Sequence, residues 1–60
     1  MKNPFNELKD SLMEMESDFQ KFFDKGNKAA GTRVRKGLMD LRNRMQDIRK
    51  EVQEAKNSAA

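Results

Sequence analysis

Histidine, cysteine, tryptophan and tyrosine are all missing from this chain of 60 residues. Without cysteine there is no disulfide and no thiolate metal site. Without histidine the commonest metal ligand and the commonest general base at neutral pH are gone. Proline occurs once and glycine three times, so few points can break a helix. No run approaches the roughly 18 apolar residues of a membrane span. The opening Met1-Lys2-Asn3-Pro4-Phe5 leads straight into charged residues, with no apolar segment of the kind a secretory signal carries. A cytoplasmic chain without membrane attachment is therefore expected.

What is present is charge. Charged residues make up 38% of the chain and hydrophobic ones 35%, so any core is thin. A chain this short forms one domain, here residues 1–60, and buries only about 60% of its unfolded surface. Pairing with further copies, as a homodimer or higher homo-oligomer, is the expected source of additional burial. The net charge of +3 is unevenly placed. Residues 1–24 hold three lysines against six acids; residues 25–50 hold nine Lys/Arg against Asp40 and Asp47. An acidic front and a basic middle, with a pI near 9.5, point to a polyanionic ligand.

Apolar residues fall at Phe5, Leu8, Leu12, Met15, Phe19 and Phe22, then at Val34, Leu38, Leu41, Met45, Ile48 and Val52, alternating three and four apart. This is the seam of a coiled-coil-like pattern on both sides of one break. Asn3 and Pro4 suit a helix start, and Gly26 suits the left-handed residue that ends one. Asn27 can then cap a second helix. The fold expected is all-α: an antiparallel two-helix hairpin, helix 1 over about 4–25, turn 26–27, helix 2 over about 28–57, dimerising into a helical bundle. In that register Met15 lies near Leu38, Leu12 near Leu41 and Leu8 near Met45, and Glu16 can meet Arg35.

No catalytic constellation is visible, and neither enzymatic activity nor a metal or cofactor is expected. Carboxylates are plentiful but lie on solvated helix faces, where nothing raises a pKa. The run from Lys25 to Lys36 is different, because it contains no acid and separates its charges by small residues. Lys25, Lys28, Arg33, Arg35 and Lys36 supply charge there, and Asn27 and Thr32 supply hydrogen bonds for phosphate oxygens. Farther on, Arg35, Arg42, Arg49 and Lys56 recur every seven residues as a stripe beside the seam. Arg42 and Arg49 have two readings, ion pairing across the hairpin and phosphate contact. No aromatic residue lies in the basic middle, so stacking on single strands is not supported. The expected ligand is double-stranded DNA bound through phosphates without sequence preference, with RNA left open.

The Gly-Asn-Lys-Ala-Ala core from Gly26 and the Thr-Arg-Val-Arg-Lys end at Lys36 resemble the signature of bacterial linker-histone-like nucleoid proteins of the chlamydial histone-like type. The resemblance extends through helix 2, with its Leu/Met seam and the Arg-Lys-Glu of residues 49–51, and more weakly to helix 1. It implies a non-enzymatic, nucleoid-associated protein that binds DNA and contributes to chromosome organisation or compaction. The chlamydial proteins carry a long Lys/Ala-rich tail, whereas this sequence reads as a short form without one. The resemblance supplies no residue-level map of contacts. The alternative function is a coiled-coil interaction module with an acidic protein partner.

Overall fold

Asn3 and Pro4 start the first arm. In a computed structural model describing residues 2–59, with side chains through Ser58, Asn3 Oδ1 accepts the Phe5 N–H at 2.9 Å. The Pro4 carbonyl accepts the N–H of Leu8 at 3.1 Å, so proline stands where its missing N–H is harmless. Helix α1 spans Phe5–Glu14 and α2 spans Glu16–Lys25. They are one arm with a local tightening at Met15, whose N–H bonds to Leu12 three residues back instead of four. The ladder resumes at once, Phe19 donating to the Met15 carbonyl. This interruption has no glycine or proline to announce it.

Gly26 ends the arm at φ 67°, ψ 25°, and its N–H bonds to the Phe22 carbonyl at 2.9 Å. A side chain would be strained in this left-handed conformation. Asn27 turns the chain into α3, Lys28–Ala59. Its Oδ1 accepts the Ala30 N–H at 3.1 Å and its carbonyl accepts that of Gly31, which caps the long helix. Every element among the described residues is helical, and the fold is all-α. The turn lies at Gly26 and Asn27, and α3 reaches two residues beyond the expected end at 57. Met1 and Ala60 lie outside the described residues.

The two arms run antiparallel along a molecule 51 Å long and only 16 by 12 Å across. Ala30, Val34 and Leu41 are its buried hydrophobic residues. Leu8, Met15, Phe19, Ile48 and Ala55 are half-buried, and so are Ser11, Asp18, Gly31, Gly37 and Arg44. The register is close to the expected one, but each helix is turned about its own axis. Met15 meets Gly37 rather than Leu38, and the Phe22 ring lies over Gly31, where a Cβ would sit 2.5 Å from it. Glycine at these two places lets the first arm approach the α3 backbone. In consequence Phe5, Leu12, Leu38, Met45 and Val52, all expected on the seam, are about half exposed or more. Phe19 and Phe23 stack with centroids 6.0 Å apart, and Phe22 meets Phe23 edge-on at 5.1 Å, so three of the four aromatic residues cluster beside the turn.

Candidate nucleic-acid interface

Helical geometry sorts the charges into two faces. At about 100° per residue, the position three beyond a buried residue lies about 60° to one side, and the position four beyond lies about 40° to the other. Asp18 and Arg33 are each three beyond an inner residue, Met15 and Ala30. These two side chains meet: Arg33 donates to both Asp18 carboxylate oxygens, with Nη2 to Oδ1 at 2.9 Å. Arg44, three beyond Leu41, donates through Nε and Nη2 to the two oxygens of Glu7 at 3.1 and 3.0 Å. It also lies 4.0 Å from Glu51. Both contacts are bidentate, the geometry a planar guanidinium favours with a carboxylate.

These bonds hold the Glu7 and Asp18 carboxyls below their ordinary values; for each, the hydrogen bonds from its arginine are the largest cause. The same bonds raise the affinity of Arg33 and Arg44 for their protons. Asp40, Asp47 and Glu54 repeat every seven residues on this side of α3. One long face of the hairpin is therefore acidic, with two of its arginines engaged.

The residues four beyond the inner ones share the opposite face. Leu12 and Phe19 lie there on the first arm, with Leu38, Met45 and Val52 on α3. One further step of four reaches Arg42, Arg49 and Lys56, and Arg35 continues the row toward the turn. All four are exposed. Among the described residues, Arg35, Arg42 and Arg49 have no ion pair, and neither do Lys25, Lys28 and Lys36 around the turn. Glu16, four beyond Leu12, lies on the same side, and among the described residues it makes no ion pair with Arg35. The row from Arg35 to Lys56 covers about 32 Å at 1.5 Å per residue, close to the 34–36 Å of one turn of duplex DNA.

The polar residues of the turn have structural duties. The Asn27 side-chain oxygen is committed to the α3 cap, which leaves its amide N–H groups able to donate. The Thr32 hydroxyl donates back to the Lys28 carbonyl at 3.3 Å, which leaves its oxygen able to accept but its proton in use. Arg33 is held by Asp18, on the face away from Arg35. Sequence position alone does not separate Arg33 and Arg44 from Arg35 and Arg42. The signal that does is the three-residue step from an inner position combined with an acid at the matching step on the other arm.

The family model for histone H1-like protein Hc1 matches residues 2–58. The chain belongs to this family. The family is one of histone-like, DNA-binding structural proteins, and the match over residues 2–58 takes in both helical arms and the basic turn between them. No curated protein and no solved structure matches the chain. No helix among the described residues is long and apolar enough to cross a membrane.

Proposed function

We propose that this Hc1-family chain binds duplex DNA without sequence preference, and that it does so with one face only. The observation that carries the reading is the division of the arginines. Two are neutralised by bidentate carboxylates, while Arg35, Arg42 and Arg49 stand in an exposed row that no acid of the described hairpin pairs with. Lys25 and Lys28 extend this positive surface around the turn, where the start of α3 adds its own positive end, and Lys36, three beyond Arg33, adds a cation on the other side of α3. Phosphates would be repelled from the acidic face and drawn to the row and the turn. Helix α3 carries no aromatic residue for stacking, and its cations fit phosphate oxygens without reading bases. Such a protein would contribute to chromosome organisation by coating or holding DNA, and would be found in the cytoplasm on the nucleoid. No chemistry on a substrate is required of it.

Self-association belongs to the same reading. The chain exposes 5374 Å², against about 4000 Å² for a compact monomer of this mass. Phe5, Leu12, Leu38 and Met45 account for part of that excess on a single face. A homodimer covering them would complete a helical bundle.

The test is fluorescence anisotropy with a random-sequence duplex over a range of salt concentrations. The expected result is binding at low salt that weakens steeply, with log affinity against log salt giving a slope of about −0.9 for each phosphate neutralised. A count of about five or more, the same for unrelated sequences, fits the row and turn together. Absence of binding at low salt would remove this function and favour an acidic protein as the ligand of the row.

A further inference from the structure

We propose that Thr32 is a phosphorylation site, and that a phosphate there pairs with Lys28, Arg35 and Lys36 and withdraws them from DNA. The inference rests on the DNA-binding reading above and adds where that binding is switched and by what chemistry.

The chain has four hydroxyl side chains, Ser11, Ser17, Thr32 and Ser58. Their charge surroundings differ. Ser11 is half-buried between the arms. Ser17 is exposed but stands between Glu16 and Asp18, with Glu14 one turn back and Lys21 one turn on. Ser58 has Glu54 one turn back. Thr32 differs from all three. Positions three and four away are neighbours on a helix surface, and for Thr32 these include Lys28, Arg35 and Lys36, with no acid of α3 within one turn.

Thr32 also faces outward. It is two residues from each of Ala30 and Val34, which are buried. At about 100° per residue it therefore stands on the side of α3 turned away from the other arm, and it is exposed. Its Oγ1 donates to the Lys28 carbonyl at 3.3 Å, and its lone pairs remain free. Arg33, the next residue, is held by Asp18 on the seam side.

The enzyme that fits this site is a protein kinase with an acidic substrate groove, because Lys28, Arg33, Arg35 and Lys36 surround the hydroxyl in sequence. In the transfer, Thr32 Oγ1 attacks the γ-phosphorus of a nucleoside triphosphate. The new O–P bond forms as the bond to the β-phosphate oxygen breaks, and the nucleoside diphosphate leaves with that electron pair. The hydroxyl proton passes to a carboxylate of the kinase, since this chain places no base beside Thr32.

The consequence follows from the spacing. A phosphothreonine carries a charge of about −1.5 to −2 at neutral pH and offers strong acceptor oxygens. At Thr32 it would draw Lys28, Arg35 and Lys36 into charge-assisted hydrogen bonds along one helix surface. DNA phosphates would lose these three contacts and meet a new anion in their place. Arg42, Arg49 and Lys56 lie farther along α3 and keep their charge, so binding is weakened and not abolished. The helix itself is not opposed, because an anion near its start and cations one turn on are both favourable.

The experiment uses the full chain made by chemical synthesis in three forms: unmodified, with phosphothreonine at 32, and with phosphoserine at 17. Anisotropy with a random-sequence duplex over a salt series is the first readout, circular dichroism the second. The phosphothreonine form is expected to keep its helicity, to bind about tenfold more weakly or worse at low salt, and to show a salt slope smaller by about three. The phosphoserine form, with the same added charge on the acidic arm, should keep nearly the unmodified slope. An unchanged slope at phosphothreonine 32, an equal loss in both forms, or a loss of helicity with phosphothreonine 32 would each overturn the pairing. The third readout is the mass of the chain isolated from its own cells, growing and resting. One added phosphoryl group located at Thr32 is expected; its absence in both, or its presence only at a serine, overturns the site. If the unmodified chain binds no DNA, the DNA reading fails and the switch with it, and the mass readout still reports separately on the modification.

Discussion

The half of the hairpin beside the turn and the half at its open end share one heptad pattern but differ in closure. Near the turn, α2 packs closely on the first half of α3, burying Ala30 and Val34 and seating Phe22 and Met15 on Gly31 and Gly37. At the open end, α1 stands less closely against α3. It is held by the Glu7–Arg44 pair, while Phe5, Met45 and Val52 remain exposed. The difference shows that small residues close this hairpin more effectively than large apolar ones do. Where α3 offers a hydrogen or a methyl group, the other arm reaches its backbone; where it offers Arg44 and Met45, the arms stand off. Leu41 lies between the two halves and is the last buried residue before the open end.

Substitution there should have the largest effect. Leu41→Asp places a charge in the one well-packed seam, at a cost of several kcal/mol in a fold with little stability to lose. Circular dichroism should show loss of cooperative unfolding and most of the helicity. Val52→Asp, at an exposed site in the open half, should change neither. Equal effects at the two sites would mean that the halves do not differ in closure.

Gly26→Ala comes next, since a left-handed conformation costs an alanine about 1–2 kcal/mol. A lower melting temperature with unchanged DNA affinity is expected, because the turn's shape persists. Smaller effects separate the two seam glycines. At Gly31 an added methyl meets the Phe22 ring, while at Gly37 it meets the sulfur of a flexible Met15 side chain. Alanine favours a helix over glycine by about 1 kcal/mol. Gly37→Ala should therefore be neutral or stabilising and Gly31→Ala destabilising, as thermal melts would show; the reverse order would place the tighter approach farther from the turn.

The smallest effect concerns acid. Glu7 and Asp18 are held below their ordinary values by Arg44 and Arg33. Their contribution is present above the unfolded values, near 4, and is lost as pH falls through the lower folded ones. Asp18→Asn and Glu7→Gln should each flatten the acid limb of a stability–pH curve measured by thermal melts. Both pairs are exposed, so the change should be slight.

Much of this was legible in the residues alone. Asn3, Gly26 and Asn27 marked the helix ends, because caps and left-handed turns accept few residue types. The alternating three-and-four spacing marked two helices and their register. It did not mark the rotation of each helix. A seam read from large apolar side chains passes over Ser11, Gly31 and Gly37, which carry no hydrophobic signal yet permit the closest approach. The break at Met15 was invisible for a related reason, since nothing in its side chain disfavours a helix. At the candidate interface the basic residues were evident, but their division into engaged and exposed depends on that rotation. Arg33 and Arg35 differ by two positions and stand on opposite faces.

DNA is expected to meet the exposed row and not the clamped arginines. The most direct measurement compares two variants by anisotropy across a salt series: Arg35→Ala/Arg42→Ala/Arg49→Ala and Arg33→Ala/Arg44→Ala. Each lost phosphate contact should lower the salt slope by about one. A slope smaller by about three and much weaker binding are expected for the first variant, and a nearly unchanged slope for the second, with both remaining helical. A loss of slope in the second with none in the first would contradict it.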